Sequence, residues 1–472
     1  LNLLQACSDT NLFGRWFRKP DTWSAWFAFI AALFGLPMTP EQETIYRAHT
    51  GREYQPSEPF TEAWLVCGRR AGKSFVLALI AVFLATFKSY DEFLGPGERG
   101  TVMVIAADRR QARVIMRYVR GIIQGTPLLA DMIEGQLRAD GIDLDNSITI
   151  EVGTASFKTS RGYAFVAVLA DEIAFWPNDT AAEPDHEILE AIRPGMASIP
   201  GSVLLCASSP YAKRGAMWEA FKTYFGKDDP SVLVWRAPTR SMNPTIPQSV
   251  IDRAMERDPA SASAEYGAEF RTDVQAFLSR EAIEAVVTPE CIERPRVDGI
   301  QYVAAVDPSG GSSDSMTLGI AHFEKLTGIA VLDCLREVKP PFSPESVVEE
   351  FAKTMKDYGI NTCRGDRYAG LWPREQFEKR GINYRVADMT KNDVYRAFLP
   401  RVNSQNVDLL DNPVLVNQLA NLERRTARGG RDSIDHPPMS HDDVANVAAM
   451  TLHYAAEYNR VPTGLVGHYS WG

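Results

Sequence analysis

Apolar and polar positions change rhythm along this chain, and the changes divide it in two. From Leu65 to about Ser209, short apolar runs alternate with helical periodicity, the pattern of a mostly parallel sheet flanked by helices. The pattern predicts strands at 63–66, 101–106, 165–170 and 202–207, with helices after the first two. Residues 247–270 read as helical, followed by an extended stretch at 272–277 and a short helix. Around Pro289 to Asp298 periodicity is lost, and a linker is placed there. Three successive strands follow at 302–306, 317–322 and 329–336, then helices. That order differs from the βαβ rhythm of the first half and marks a second domain.

Composition changes this picture little. A chain of 472 residues suits two domains, and 45% hydrophobic with 23% charged residues is ordinary for a globular protein. The formal net charge of −10 argues against coating nucleic acid through overall charge, but leaves room for local basic clefts. Cys7, Cys67, Cys206, Cys291, Cys334 and Cys363 form no C-x-x-C pair and no Cys/His cluster, which fits free thiols in a reducing compartment. Two apolar runs, Trp26 to Leu36 and Phe75 to Phe87, fall short of the roughly 20 residues that a spanning helix needs, so both are expected as buried helices and no membrane is expected. Arg15, Arg18 and Lys19 precede the first run, but it ends at Pro37 without a cleavage pattern. The chain begins at Leu1 rather than Met, which is read as a missing native start.

The sharpest local signal is Cys67-Gly68-Arg69-Arg70-Ala71-Gly72-Lys73-Ser74, between an apolar strand and an apolar helix. It meets the phosphate-loop pattern G-x-x-x-x-G-K-[ST], with Cys67 in place of the first glycine. Backbone N–H groups of such a loop and its helix cradle phosphate oxygens. Lys73 is expected to bridge the β- and γ-phosphates of ATP, and Ser74 to ligate Mg²⁺. The apolar run from Phe165 to Ala170 ends in Asp171-Glu172, the Walker B arrangement. Asp171 would hold the Mg²⁺ shell, and Glu172 would orient and deprotonate the attacking water. Each motif alone is commonplace, but together, about 100 residues apart, they are specific. A third strand ends in Ser208, Ser209 and Pro210, hydroxyls suited to sensing the γ-phosphate.

In the second half Asp307 ends the first strand before the turn Pro308-Ser309-Gly310-Gly311, and Asp366 sits at another strand end in RGDRYAG. Asp442 and Asp443 follow His441 and open the last strong helix. Neighbouring helical residues diverge by about 100°. Asp443, on the face of Val447 and Met450, is therefore the chosen third acid, with Asp442 as the alternative. An acid at a strand end more often caps a turn than binds a metal. Three of them in this order make a site for two Mg²⁺ or Mn²⁺ ions, which prefer oxygen ligands and, about 4 Å apart, stabilise both oxygens of an in-line phosphodiester displacement.

With CGRRAGKS, LADE, VDPSGG, GDRYAG and SHDDVAN in hand, the chain resembles the large terminase subunit of tailed bacteriophages over roughly residues 35 to 456. The resemblance implies an α/β chain with an N-terminal P-loop ATPase domain, RecA/ASCE-like, and a C-terminal RNase H-like nuclease. The implied layout is a helical segment with the adenine-contact motif at 1–60, the ATPase core and lid at 61–275, a linker at 276–298, the nuclease at 299–460 and a tail at 461–472. It also implies a motor that hydrolyses ATP to drive double-stranded DNA into a procapsid and cuts concatemers by two-metal hydrolysis. Portal protein and a small terminase subunit are the implied partners in the host-cell cytoplasm. The chain would form a ring on the portal and be a monomer in isolation. Met38-Thr39-Pro40-Glu41-Gln42 resembles the segment contacting adenine, with Gln42 at the ring edge. Arg69 matches the P-loop arginine, and Arg161, ahead of Asp171, resembles an arginine finger offered to a neighbouring subunit. Cys206-Ala207-Ser208-Ser209 resembles the coupling motif, and Glu265 to Phe270 the segment closing the ATPase domain.

Two other readings fit less well. A helicase–nuclease carries a second RecA-like lobe, and the stretch between Pro210 and the linker is too short for one. A decayed, purely structural protein would not keep Lys73, Ser74, Asp171, Glu172, Asp307 and Asp366 together. Arg424, Arg425, Arg428 and Arg431 form a basic patch expected to clamp DNA phosphates, the alternative being a solvated hairpin tip.

Overall fold

The computed structural model describes residues 1–155, 162–176, 184–311, 314–365, 371–426, 432–438 and 440–458. They fall into two α/β units that meet in sequence between Asp273 and Val274, each with its own large sheet.

In the first unit β1 (Glu62–Cys67), β2 (Gly100–Ala106), β3 (Gly141–Asp143), β4 (Ile148–Thr154), β5 (Ala164–Asp171), β6 (Val203–Ser208) and β7 (Val232–Ala237) form one sheet. The strand order is β3-β4-β2-β5-β6-β1-β7, parallel throughout except for β3 against β4. Strands covered on both faces read as unbroken apolar runs, and side-chain alternation sorts them between two cores. Ala63, Leu65 and Cys67 of β1 join one core, Trp64 and Val66 the other. One strand, β6, stands between β1 and β5, so the phosphate-loop strand and the acidic strand are next-nearest neighbours, as an ASCE-type sheet requires.

The two apolar runs are buried helices, Ser24–Leu33 and Lys73–Phe87. No helix among the described residues is long and apolar enough to cross a membrane. The stretch 247–270 is two helices rather than one, Gln248–Arg257 and Pro259–Gly267. Pro259 cannot continue the first helix but suits the first turn of the second, which Asp258 caps by accepting from Ser261 N.

In the second unit β9 (Val287–Thr288), β10 (Tyr302–Asp307), β11 (Met316–Glu324), β12 (Ile329–Val338), β13 (Thr362–Gly365), β14 (Asn383–Val386) and β15 (Val407–Leu410) build a sheet in the order β14-β13-β10-β11-β12-β15-β9. The meander β10-β11-β12 is antiparallel, while β13 runs parallel to β10 and β15 parallel to β12. Five strands thus read third-second-first-fourth-fifth, the order an RNase H-like core requires. The helix Asp443–Tyr458 buries Val444, Val447 and Ala448 in the core that also takes Val303 and Ala305 of β10. A small antiparallel sheet joins β8 (Val274–Ala276), β16 (Glu423–Thr426) and β17 (Asp432–Asp435).

Residues 276–298, expected as a linker, are woven into this second unit. They include the helix Arg280–Glu284 and β9, which pairs with β15. Arg294 binds Asp408 at 2.9 Å, 114 residues downstream. The partners are too distant in sequence for any local periodicity to report them.

Candidate functional site

The first site is built where β1, β5 and β6 end. After Cys67 the chain turns through Gly68, Arg69, Arg70 and Ala71 to Gly72, which takes φ 105°, a left-handed conformation open to glycine. The helix Lys73–Phe87 then starts with no side-chain cap, so its first N–H groups are left for an anion. From below, the Trp26 indole donates to the Ala71 carbonyl at 2.9 Å, which is why the first apolar run lies buried against this loop. A Cβ on Gly68 would stand 2.7 Å from Thr239 N and 2.8 Å from the Tyr266 carbonyl.

Lys73, 5% exposed, points its ammonium at the carbonyls of Cys67 and Gly68, at Ser209 Oγ (3.2 Å) and at Glu172 Oε1 (3.4 Å). Glu172 sits at φ 50°, a strained angle of the kind stored at functional sites. It is fixed there by Ser208 Oγ (3.0 Å) and Ser209 N (3.2 Å), both donating to Oε2. Asp171 accepts from Ser74 Oγ at 2.9 Å and from Gln111 Nε2 at 2.8 Å on Oδ2. Its Oδ1 is buried without a partner. Burial, then the adjacent Glu172, pushes this carboxyl up to about 6. A buried carboxylate oxygen lacking a donor is costly unless a cation meets it, so Ser74 and Asp171 fit an Mg²⁺.

Lys73, Ser74, Asp171, Glu172, Ser208 and Ser209 therefore converge. Gln111 belongs with them but was not foreseen; the signal was Asp108, which follows β2 and caps the next helix through Arg110 N and Gln111 N. Arg69 is directed elsewhere, its guanidinium 3.2 Å from Glu265 Oε1 at the surface. Gln42 forms a capping box with Thr39, its Oε1 accepting from Thr39 N at 3.0 Å, a role its sequence position also signals. Arg161 lies outside the described residues.

In the second unit Asp307 ends β10, paired in register with Thr317 of β11. Thr317 Oγ1 donates to the Asp443 carbonyl at 3.1 Å, and Asn446 Nδ2 donates to Asp307 Oδ2 at 2.8 Å. The strand end and the helix start are thereby joined, and Asn446 is a second residue the sequence reading missed. Asp443 Oδ2 is buried without a partner. Burial, then the charge of Asp442, pushes the Asp443 carboxyl up to about 6. Asp366 lies outside the described residues; Gly365 before it pairs with Val306, the residue before Asp307.

The two candidates for the third acid are unlike. Asp442, 4% exposed, is taken by Lys391 Nζ (2.7 Å to Oδ2) and by the Tyr395 hydroxyl (2.8 Å), whereas Asp443 keeps an orphaned oxygen. Asp435, His436 and Asp442 lie within 4.8 Å of one another, but Lys391 already bridges Asp435 and Asp442. In the basic patch, Arg424 pairs with Asp432, and Arg425 pairs with the buried Glu423 and donates to the His436 carbonyl. These two arginines are occupied within the β16–β17 ladder, contrary to an open clamp. Arg428 and Arg431 lie outside the described residues.

Residues 65–184 match a family model described as terminase large subunit, T4likevirus-type, N-terminal. No curated protein matches the sequence at a significant level. Among solved structures the chain is similar to the large terminase of bacteriophage HK97, at 16% identity over 89% of this chain and 95% of that one, with a TM-score of 0.37. It is also similar to the large terminase nuclease of thermophilic phage G20c with bound magnesium, at 16% identity over 38% of this chain and 98% of that one, with a TM-score of 0.33. Both lie too low in identity and TM-score to carry more than the resemblance itself. The family match falls on the segment that holds the phosphate loop and the Asp171 strand end, and over that segment this chain is similar to the terminase large-subunit family.

Proposed function

We propose that this chain is the ATP-hydrolysing, DNA-cutting subunit of a phage packaging motor, with one chemistry in each unit. A single kind of observation carries the reading: two carboxylate oxygens, Asp171 Oδ1 and Asp443 Oδ2, are buried and unpartnered at the two motif-bearing sites.

In the first unit the uncapped helix start and Lys73 would bind the phosphates of ATP, with Ser74 and Asp171 holding a cation. Glu172 would orient and deprotonate water. Its ties to Ser208 and Ser209 would link β6 to the hydrolysed bond, which supports a coupling role for this segment. In the second unit Asp307 and Asp443, with Asp366, would hold divalent cations, Asn446 orienting Asp307 from the helix. When bound, such cations stabilise the attacking and leaving oxygens of a phosphodiester displacement. The packaging task adds double-stranded DNA, a portal protein, a small terminase subunit and a ring of copies on the portal, in the host cytoplasm.

Ligand-dependent thermal unfolding tests this reading. The parent is expected to gain stability from Mg²⁺ with a non-hydrolysable ATP analogue, and separately from Mn²⁺. Asp171→Asn loses the first gain and Asp443→Asn the second. No gain from either ligand contradicts the proposal.

A further inference from the structure

Lys391 opens the helix Lys391–Asn403 directly after its cap Thr390. A cation in the first turn of a helix has the wrong sign for the macrodipole. What holds it there is a pair of carboxylates. Nζ lies 2.9 Å from Asp435 Oδ1, 2.9 Å from Asp442 Oδ1 and 2.7 Å from Asp442 Oδ2. One turn on, the fully buried Tyr395 donates its hydroxyl to the same Asp442 Oδ2 at 2.8 Å. Asp442 is in turn the residue from which the helix Asp443–Tyr458 departs, its carbonyl accepting Asn446 N at 2.7 Å. Asn446 then reaches Asp307.

We propose that Lys391, with Tyr395, is a positioning residue for the divalent-cation site. It grips both oxygens of Asp442, keeps that carboxylate as the anchor of the helix, and so presents Asp443 and Asn446 to Asp307. The ammonium also stands between the carboxylates of Asp435 and Asp442 and neutralises that pair. The inference rests on the reading of Asp307 and Asp443 as cation ligands. It explains why two adjacent aspartates, chemically alike, take different tasks.

The test is Mn²⁺ binding to the full chain, followed by electron paramagnetic resonance, with thermal unfolding beside it. Lys391→Met is expected to weaken Mn²⁺ binding by about 10–100-fold, the usual effect of losing an outer-shell partner. Lys391→Arg, which keeps the charge, restores binding to within about threefold of the parent by the same reasoning. Because the lysine acts through Asp442, the double variant Lys391→Met/Asp442→Asn binds no more weakly than Asp442→Asn alone. Parent-like binding by Lys391→Met, or a double variant that loses the product of both single effects, overturns the inference and leaves the cation site standing. If Lys391→Met does not fold, Tyr395→Phe and Asp442→Asn decide: both weaken binding without abolishing it, whereas Asp442→Asn abolishing it as Asp443→Asn does makes Asp442 a ligand and overturns the inference. A parent chain that binds no Mn²⁺ overturns the site and the inference together.

Discussion

Asp171 carries a negative charge in a place closed to water, and this sets a pH dependence. Its carboxyl is raised from 3.8 to about 6 by burial first and by Glu172 second. The folded chain thus holds that proton more tightly than the unfolded chain does. The associated stability is complete below pH 3.8 and is lost as the pH rises through 6. Asp171→Asn, which can still accept from Ser74 and Gln111, is therefore expected to unfold at a higher temperature than the parent at pH 8, by a margin on the order of 2 kcal/mol. The margin should close as the pH falls to 4; equal melting of the two chains at pH 8 would contradict the burial argument. A cation bound by Asp171 offsets the same cost, so saturating Mg²⁺ and nucleotide should narrow the difference at pH 8.

Between residue and domain, the phosphate loop behaves as an element wedged among others. Gly68 is enclosed by Thr239 N at 2.7 Å and the Tyr266 carbonyl at 2.8 Å from where a Cβ would be, both backbone atoms that cannot swing aside. Gly68→Ala is expected to cost about 1–3 kcal/mol in thermal unfolding through overpacking, and to weaken nucleotide binding with it. A parent-like melt would show that the loop has slack. The helix Pro40–Thr50 offers a milder case. Thr39→Ala removes the capping box and should cost about 1 kcal/mol. Sequence legibility differs between these elements for a physical reason. The loop's signature is local, so Lys73 and Ser74 were found from spacing alone. The four residues Thr39 to Gln42 carry two signals at once, a cap and a family motif, and the cap is the one their hydrogen bonds express. Lys391 and Tyr395 went unread because their partner Asp442 is 51 and 47 residues away.

At the scale of the molecule, each unit brings strand ends and a helix start together around buried carboxylates, and each does so by a different sheet. The strand ends at Asp171 and Asp307 were legible because a buried strand is an apolar run and an acid at its tip interrupts it. The second unit's true beginning was not, because β8 and β9 are three and two residues long and depend on β16 and β15 for their existence. Two sites in two units predict two separable activities. The most direct measurement is supercoiled-plasmid cleavage with Mg²⁺ or Mn²⁺ and, in parallel, ATP hydrolysis, by the parent, Lys73→Ala and Asp307→Ala. Lys73→Ala is expected to lose ATP hydrolysis by about 100-fold or more while still cutting DNA. Asp307→Ala is expected to lose cutting and keep hydrolysis. Cleavage that survives Asp307→Ala, or that is absent from the parent with either metal, would contradict the account of the second site.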